Sequence, residues 1–96
     1  MTIFALSSGA GISGVAIIRV SGPDTKEVIK KLTNSSLPNP RLATKKKFNK
    51  INTNELIDEG ILIWFPGPES YTGEDMAEFH VHGSRAVIDA IYASIS

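Results

Sequence analysis

The 96-residue sequence predicts an α+β domain in which a mixed or antiparallel sheet carries two helices. Three observations predict it. Short β-branched or alternating segments recur along the chain, apolar residues return at helical spacing in two places, and the elements run β-β-α-β-β-β-α. The composition, 42% hydrophobic and 21% charged, is that of one ordinary globular domain.

Thr2 to Ser7 reads as the first strand and Ser8 to Gly14 as a glycine-rich loop. Val15 to Val20 is almost wholly apolar and β-branched, the pattern of a buried strand. Ser21-Gly22-Pro23 stops it and opens a helix, with Asp24 and Glu27 at the positive end and Val28, Ile29 and Leu32 as its apolar stripe. Asn34-Ser35-Ser36 ends that helix, and the proline-bearing stretch from Leu37 to Leu42 connects onward. Thr44 to Ile51 is expected to be a polar edge strand protected by Lys45, Lys46 and Lys47. After a turn at Asn52 to Glu55, a central strand is expected over Gly60 to Phe65, stopped by Pro66-Gly67-Pro68.

A loop follows from Glu69 to Asp75. Met76 to His82 then alternates, placing Glu78, His80 and His82 on one face and Phe79 and Val81 on the other. Ser84 suits the N-cap of a last helix striped by Val87, Ile88, Ile91, Tyr92 and Ile95. That helix meets no stop signal before Ser96, so the chain is expected to be cut from a larger protein.

Composition excludes several functions. Without cysteine there is no disulfide scaffold, thiolate zinc site or thiol nucleophile. No apolar run approaches the ~20 residues of a membrane helix, and the N-terminus lacks the basic start of a signal peptide. A cytoplasmic location with no membrane partner is the default expectation. Net charge is zero but divided: Arg19 to Lys50 holds nine bases against two acids, and Ile51 to Ser96 holds one base against eight acids. Two solvated faces are the expected meaning, ahead of steering an anionic partner or joining a homodimer.

Gly9 to Gly14 matches G-x-G-x-x-G, but a strand follows it where a dinucleotide site needs a helix N-terminus. A glycine-rich hairpin loop is the better reading. No G-x-x-x-x-G-K-[ST] occurs, so the chain has no phosphate loop for a nucleoside triphosphate. The i, i+2, i+4 spacing of Glu78, His80 and His82 spreads ligands ~6–7 Å apart, and a metal site is not expected there.

Glu78 has a sharper use. A strand carboxylate can accept two parallel N–H bonds from an amidine-like edge such as that of a pterin. Arg19, near the end of a buried strand, needs a carboxylate, supplied by a ligand or by Glu78 or Asp75. In the loop Ser70-Tyr71-Thr72-Gly73-Glu74-Asp75, Tyr71 is a candidate to stack on a flat ring.

Several blocks together resemble a known family: Gly14-Val15-Ala16-Ile17-Ile18-Arg19-Val20-Ser21-Gly22, Asp58-Glu59-Gly60-Ile61, Phe65 to Asp75, and Glu78-x-x-x-His82-Gly83. They resemble the N-terminal domain of the MnmE (TrmE) family of tRNA-modification GTPases over nearly the whole chain. The resemblance implies a folate-binding and dimerisation domain over residues 1–96, with a fold like one repeat of the glycine-cleavage T-protein folate-binding domains. It implies a 5-formyl-tetrahydrofolate or related reduced folate held by Arg19 and Glu78, and a homodimer. It also implies that GTP, magnesium and potassium belong to a G domain outside this chain. The longer protein then acts with the FAD-dependent MnmG (GidA) on C5 of the wobble uridine of tRNA. The family's Gly-Arg-Gly-Gly loop reads Gly11-Ile12-Ser13-Gly14 here, its His-Gly-Gly reads His82-Gly83-Ser84, and His80 usually has a different residue. The alternative function is an RNA- or partner-docking adaptor using the bases from Lys45 to Lys50.

Overall fold

The structure is a computed structural model that describes residues 2–6 and 14–95. Five strands form one sheet: β1 (Ile3–Leu6), β2 (Val15–Ser21), β3 (Thr44–Asn49), β4 (Leu56–Phe65) and β5 (Met76–His82). Their order across the sheet is β1-β2-β5-β4-β3, and each neighbouring pair is antiparallel. The described residues also form helices α1 (Thr25–Thr33) and α2 (Arg85–Ile95). The β-β-α-β-β-β-α order is thus observed, and of the two sheet types expected the antiparallel one is present. The glycine-rich loop expected over Ser8 to Gly14 lies outside the described residues apart from Gly14, whose carbonyl accepts the Gly83 N–H at 3.2 Å.

Strand alternation decides what each face carries. Ile18 and Val20 of β2, Phe79 and Val81 of β5, Leu62 and Trp64 of β4 and Phe48 of β3 are buried. They form one core with Val28, Ile29 and Leu32 of α1 and Ile88 and Ile91 of α2. Burying such side chains stabilises the fold by about 25 cal/mol for each Å² of apolar surface removed from water. Both helix stripes are the expected ones. With both helices on that face, the residues between the core positions form an open face: Ile17 and Arg19 of β2, Ile61 and Ile63 of β4, Glu78 and His80 of β5. The register sets Arg19 and Ile63 on either side of Glu78, and Ile17 and Ile61 on either side of His80.

The ends of the helices follow from their sequence. The buried Thr25 hydroxyl donates to the carbonyls of Gly22 and Asp75, at 2.8 and 3.1 Å, and ties the start of α1 to the strand ends. Asn34 adopts the left-handed conformation (φ 50°) and ends α1. Ser84 caps α2 as expected, its Oγ accepting the Val87 N–H at 3.2 Å.

Two strand boundaries differ from expectation by two residues or more. β4 begins at Leu56 rather than Gly60, because Glu59 and Asp58 pair with Lys47 and Phe48 of the edge strand. Asp58, Glu59 and Gly60 interrupt the apolar pattern of its first half and hide the strand. β3 ends at Asn49 rather than Ile51, where the register shifts and the chain turns through Asn52 at φ 67°.

Candidate ligand site on the open face

The site begins with one cross-strand pair. Arg19 and Glu78 are register partners on β2 and β5, and Arg19 Nε donates to Glu78 Oε2 at 2.9 Å. The Glu78 side chain is only 13% exposed. Its second oxygen, Oε1, accepts from His80 Nε2 at 3.0 Å, so each carboxylate oxygen has a partner on the same face. Burial pushes the Glu78 carboxyl upward, but the hydrogen bonds from His80 and Arg19 and the Arg19 charge outweigh it and hold the carboxyl below its ordinary value. A carboxylate offers about four lone-pair positions, and these two bonds leave acceptor capacity.

Tyr71 comes from the loop between β4 and β5. The residue is 85% exposed, and the Arg19 guanidinium lies 5.4 Å from its ring centroid, within cation–π range. The loop is tethered at several points. The Thr72 and Ser21 hydroxyls share a hydrogen bond of 2.8 Å, and the Asp75 carbonyl accepts the Gly22 N–H at 3.0 Å. The Asp75 carboxylate accepts the Gly67 N–H at 3.0 Å. Gly73 sits at φ 81°, where a side chain would be strained. Arg19 therefore takes Glu78 as its carboxylate, and Asp75 serves the loop.

Arg19, Tyr71 and Glu78 line a cavity of about 330 Å³, with Phe65, Ser70 and Met76 among its other walls. A second hollow of about 200 Å³ shares Arg19 and Tyr71 with the first and extends along Ile3 to Ala5 of β1. The three residues singled out in the sequence thus converge on one place. Phe65 and Met76, paired across β4 and β5, were not foreseen as walls, although their alternation with Glu78 puts them on the same face.

The two histidines go to separate partners. His82 Nδ1 and its backbone N–H both bond the Asp58 carboxylate, at 2.9 and 2.8 Å, while His80 faces Glu78. Among the described residues no three His, Asp or Glu side chains converge to hold a metal ion. Asp58 escaped the sequence reading because it lies 24 positions from His82, and only the strand register joins them. Of the bases on β3, Lys45 pairs with Glu59 at 3.8 Å and Lys46 reaches the Ser35 hydroxyl at 3.3 Å. Lys50 pairs with Glu55 at 3.3 Å. The basic and acidic halves of the sequence therefore meet within one hairpin. Exposed pairs of this kind contribute little stability.

Asp58 carries a pH prediction. Burial raises its carboxyl, but the bonds from the backbone and side chain of His82 outweigh this and lower it. A group with a depressed folded value contributes stability that is complete above its ordinary value and is lost as pH falls through the folded one. Asp58→Asn is expected to lower the melting temperature at neutral pH and to shrink the difference between neutral and acid melts. Parallel acid limbs for both proteins would show that Asp58 contributes none of the acid sensitivity.

Comparison with known proteins gives the family. The family model described as "GTP-binding protein TrmE N-terminus" matches residues 2–96. The chain belongs to the TrmE N-terminal family. Similar proteins include a tRNA modification GTPase MnmE of Pelagibacter ubique, 75% identical over the whole of this chain and 22% of its own length. A mitochondrial 5-taurinomethyluridine-[tRNA] synthase subunit GTPB3 of Danio rerio is 49% identical over 98% of this chain and 19% of its own. A mitochondrial tRNA modification GTPase gtpbp3 of Dictyostelium discoideum is 55% identical over 91% of this chain. This TrmE N-terminal chain spans about one-fifth of the length of those relatives. No helix among its described residues is long and apolar enough to cross a membrane.

Proposed function

We propose that this domain binds a reduced folate of the 5-formyl-tetrahydrofolate type and pairs with a second copy of itself, as the N-terminal part of a tRNA-modifying GTPase. The observation that carries the reading is the convergence of Arg19, Tyr71 and Glu78 on one cavity from places up to 59 positions apart. The residues fit the ligand's chemistry. An ionised, half-enclosed carboxylate suits the amino and ring N–H edge of a pterin, and an exposed aromatic ring beside it suits a flat heterocycle. A cavity of about 330 Å³ lies at the lower end of the range for small-molecule sites.

Pairing with a second copy is supported by the open face, where Ile17, Ile61, Ile63 and Phe65 are only partly buried although no helix covers them. The likeness to one repeat of the glycine-cleavage T-protein fold belongs to the same reading, because two copies would then supply what a duplicated domain holds in one chain. GTP, magnesium and potassium belong to the G domain of the longer protein. That protein works in the cytoplasm with FAD-dependent MnmG on C5 of the wobble uridine of tRNA. The domain itself holds the folate and the partner copy and performs no chemistry alone.

Calorimetric titration with 5-formyl-tetrahydrofolate tests the proposal. Saturable binding is expected, weakened roughly ten- to a hundred-fold by Glu78→Gln, the worth of a hydrogen bond to a charged group. Absent binding, or affinity untouched by the substitution, overturns the folate site.

A further inference from the structure

We propose that His80 is a positioning residue of this site: its imidazole N–H fixes the Glu78 carboxylate in the rotation that turns the remaining lone pairs toward the ligand. The inference rests on the folate reading for its ligand, and on the geometry of three side chains for the rest. Glu78 Oε2 takes Arg19 Nε at 2.9 Å, and Oε1 takes His80 Nε2 at 3.0 Å. The terminal torsion of a glutamate is broad, so a carboxylate held at one oxygen still turns. Held at both, it has one orientation.

The two clamps differ in quality. The Arg19 side chain is 42% exposed and long, and it also reaches toward Tyr71. The His80 side chain is 25% exposed, has two torsions, and sits between its register partners Ile17 and Ile61. It is the stiffer of the two. The acceptor-only carboxylate requires the proton on Nε2, which leaves Nδ1 bare in the neutral ring.

His80 also belongs to another hollow. With Glu59, Gly60 and His82 it lines a cavity of about 300 Å³ at the far end of β5. The charged or titratable groups around the imidazole are then Glu78 and His82 on its own strand, Arg19 on β2, and Glu59 on β4. Of these, His82 is held by Asp58 and Glu59 by Lys45. Glu78 alone is bonded to the ring of His80 among the described residues.

His80→Leu removes the N–H while keeping an apolar filler between Ile17 and Ile61, and His80→Gln restores an N–H at nearly the same reach. Two readouts are followed in the unsubstituted chain and in both variants: the Glu78 carboxyl by carbon NMR against pH, and affinity for 5-formyl-tetrahydrofolate. In His80→Leu the Glu78 midpoint is expected to move upward and affinity to fall about ten-fold; His80→Gln is expected to recover most of both. An unmoved Glu78 midpoint in His80→Leu overturns the proposal, as does a moved midpoint that His80→Gln fails to restore, because the ring would then act by packing. If the midpoints behave as expected while even the unsubstituted chain binds no folate, the folate reading falls and the hold of His80 on Glu78 stands.

Discussion

Gly60→Ala is expected to destabilise the chain by roughly 3 kcal/mol or more, lowering the melting temperature by roughly 12–24 °C. A Cβ at this position would stand 2.0 Å from the carbonyl oxygen of His80 and 3.2 Å from Cε2 of the Phe48 ring. The first neighbour is backbone, so it cannot move aside as the tip of a side chain does. The pairing of β4 with β5 starts one residue later, at Ile61 opposite His80, so relief of the clash must lift β4 from the central strand. A domain of this size holds about 5–15 kcal/mol in total, and the substitution takes a large share. Thermal melts followed by circular dichroism measure it. A melting temperature within a few degrees of the unsubstituted protein would mean that the strands do not approach so closely.

Phe79→Ala is expected to cost about 3–5 kcal/mol, the range for emptying a buried aromatic site. Phe79 is fully buried in the middle strand, opposite Ile18 on one side and Leu62 on the other. Its ring meets Phe48 edge to face, with centroids 5.3 Å apart at 77°. Such pairs add about 0.5–1.5 kcal/mol beyond burial. The flanking strands are held by backbone bonds and cannot collapse into the gap, which places the cost toward the upper end. Urea unfolding should show a lower midpoint with an unchanged slope. Phe79→Leu should recover more than half of the loss, and an alanine variant within 1 kcal/mol of the parent would contradict the packing described.

The fold was legible wherever burial imposes a period on the residues. Val15 to Val20 and Met76 to His82 declare themselves as strands because alternate residues (Ala16, Ile18 and Val20; Ala77, Phe79 and Val81) are buried in the core, and Val28, Ile29 and Leu32 declare α1 because they are buried there too. The first half of β4 did not, since its charged residues find their partners on distant parts of the chain, Asp58 in His82 and Glu59 in Lys45 of the edge strand. Among the site residues, Arg19 stood out through the cost of an uncompensated charge on an apolar strand, and Glu78 as a strand carboxylate able to accept two parallel N–H bonds. Tyr71 stood out as an aromatic in a turn. The bonds from His80 to Glu78 and from His82 to Asp58 were illegible, because alternation says which face a residue joins and not which neighbour it chooses.

The sheet order has a consequence for how the molecule is made. Of the five described strands β5 is the last in chain order, yet it lies between β2 and β4. Until His82 has left the ribosome, the nascent chain can form only two separate ribbons, β1 with β2 and β3 with β4. Two-stranded ribbons are marginal in water, and these would show Ile18, Val20, Leu62 and Trp64 to the solvent. Insertion of a single seven-residue segment then joins both ribbons and brings Arg19 to Glu78 in one event, and α2, which follows it, covers the core with Ile88 and Ile91. The sheet therefore forms only once β5 is complete, and nascent chains halted before Met76 are the ones most in need of a chaperone.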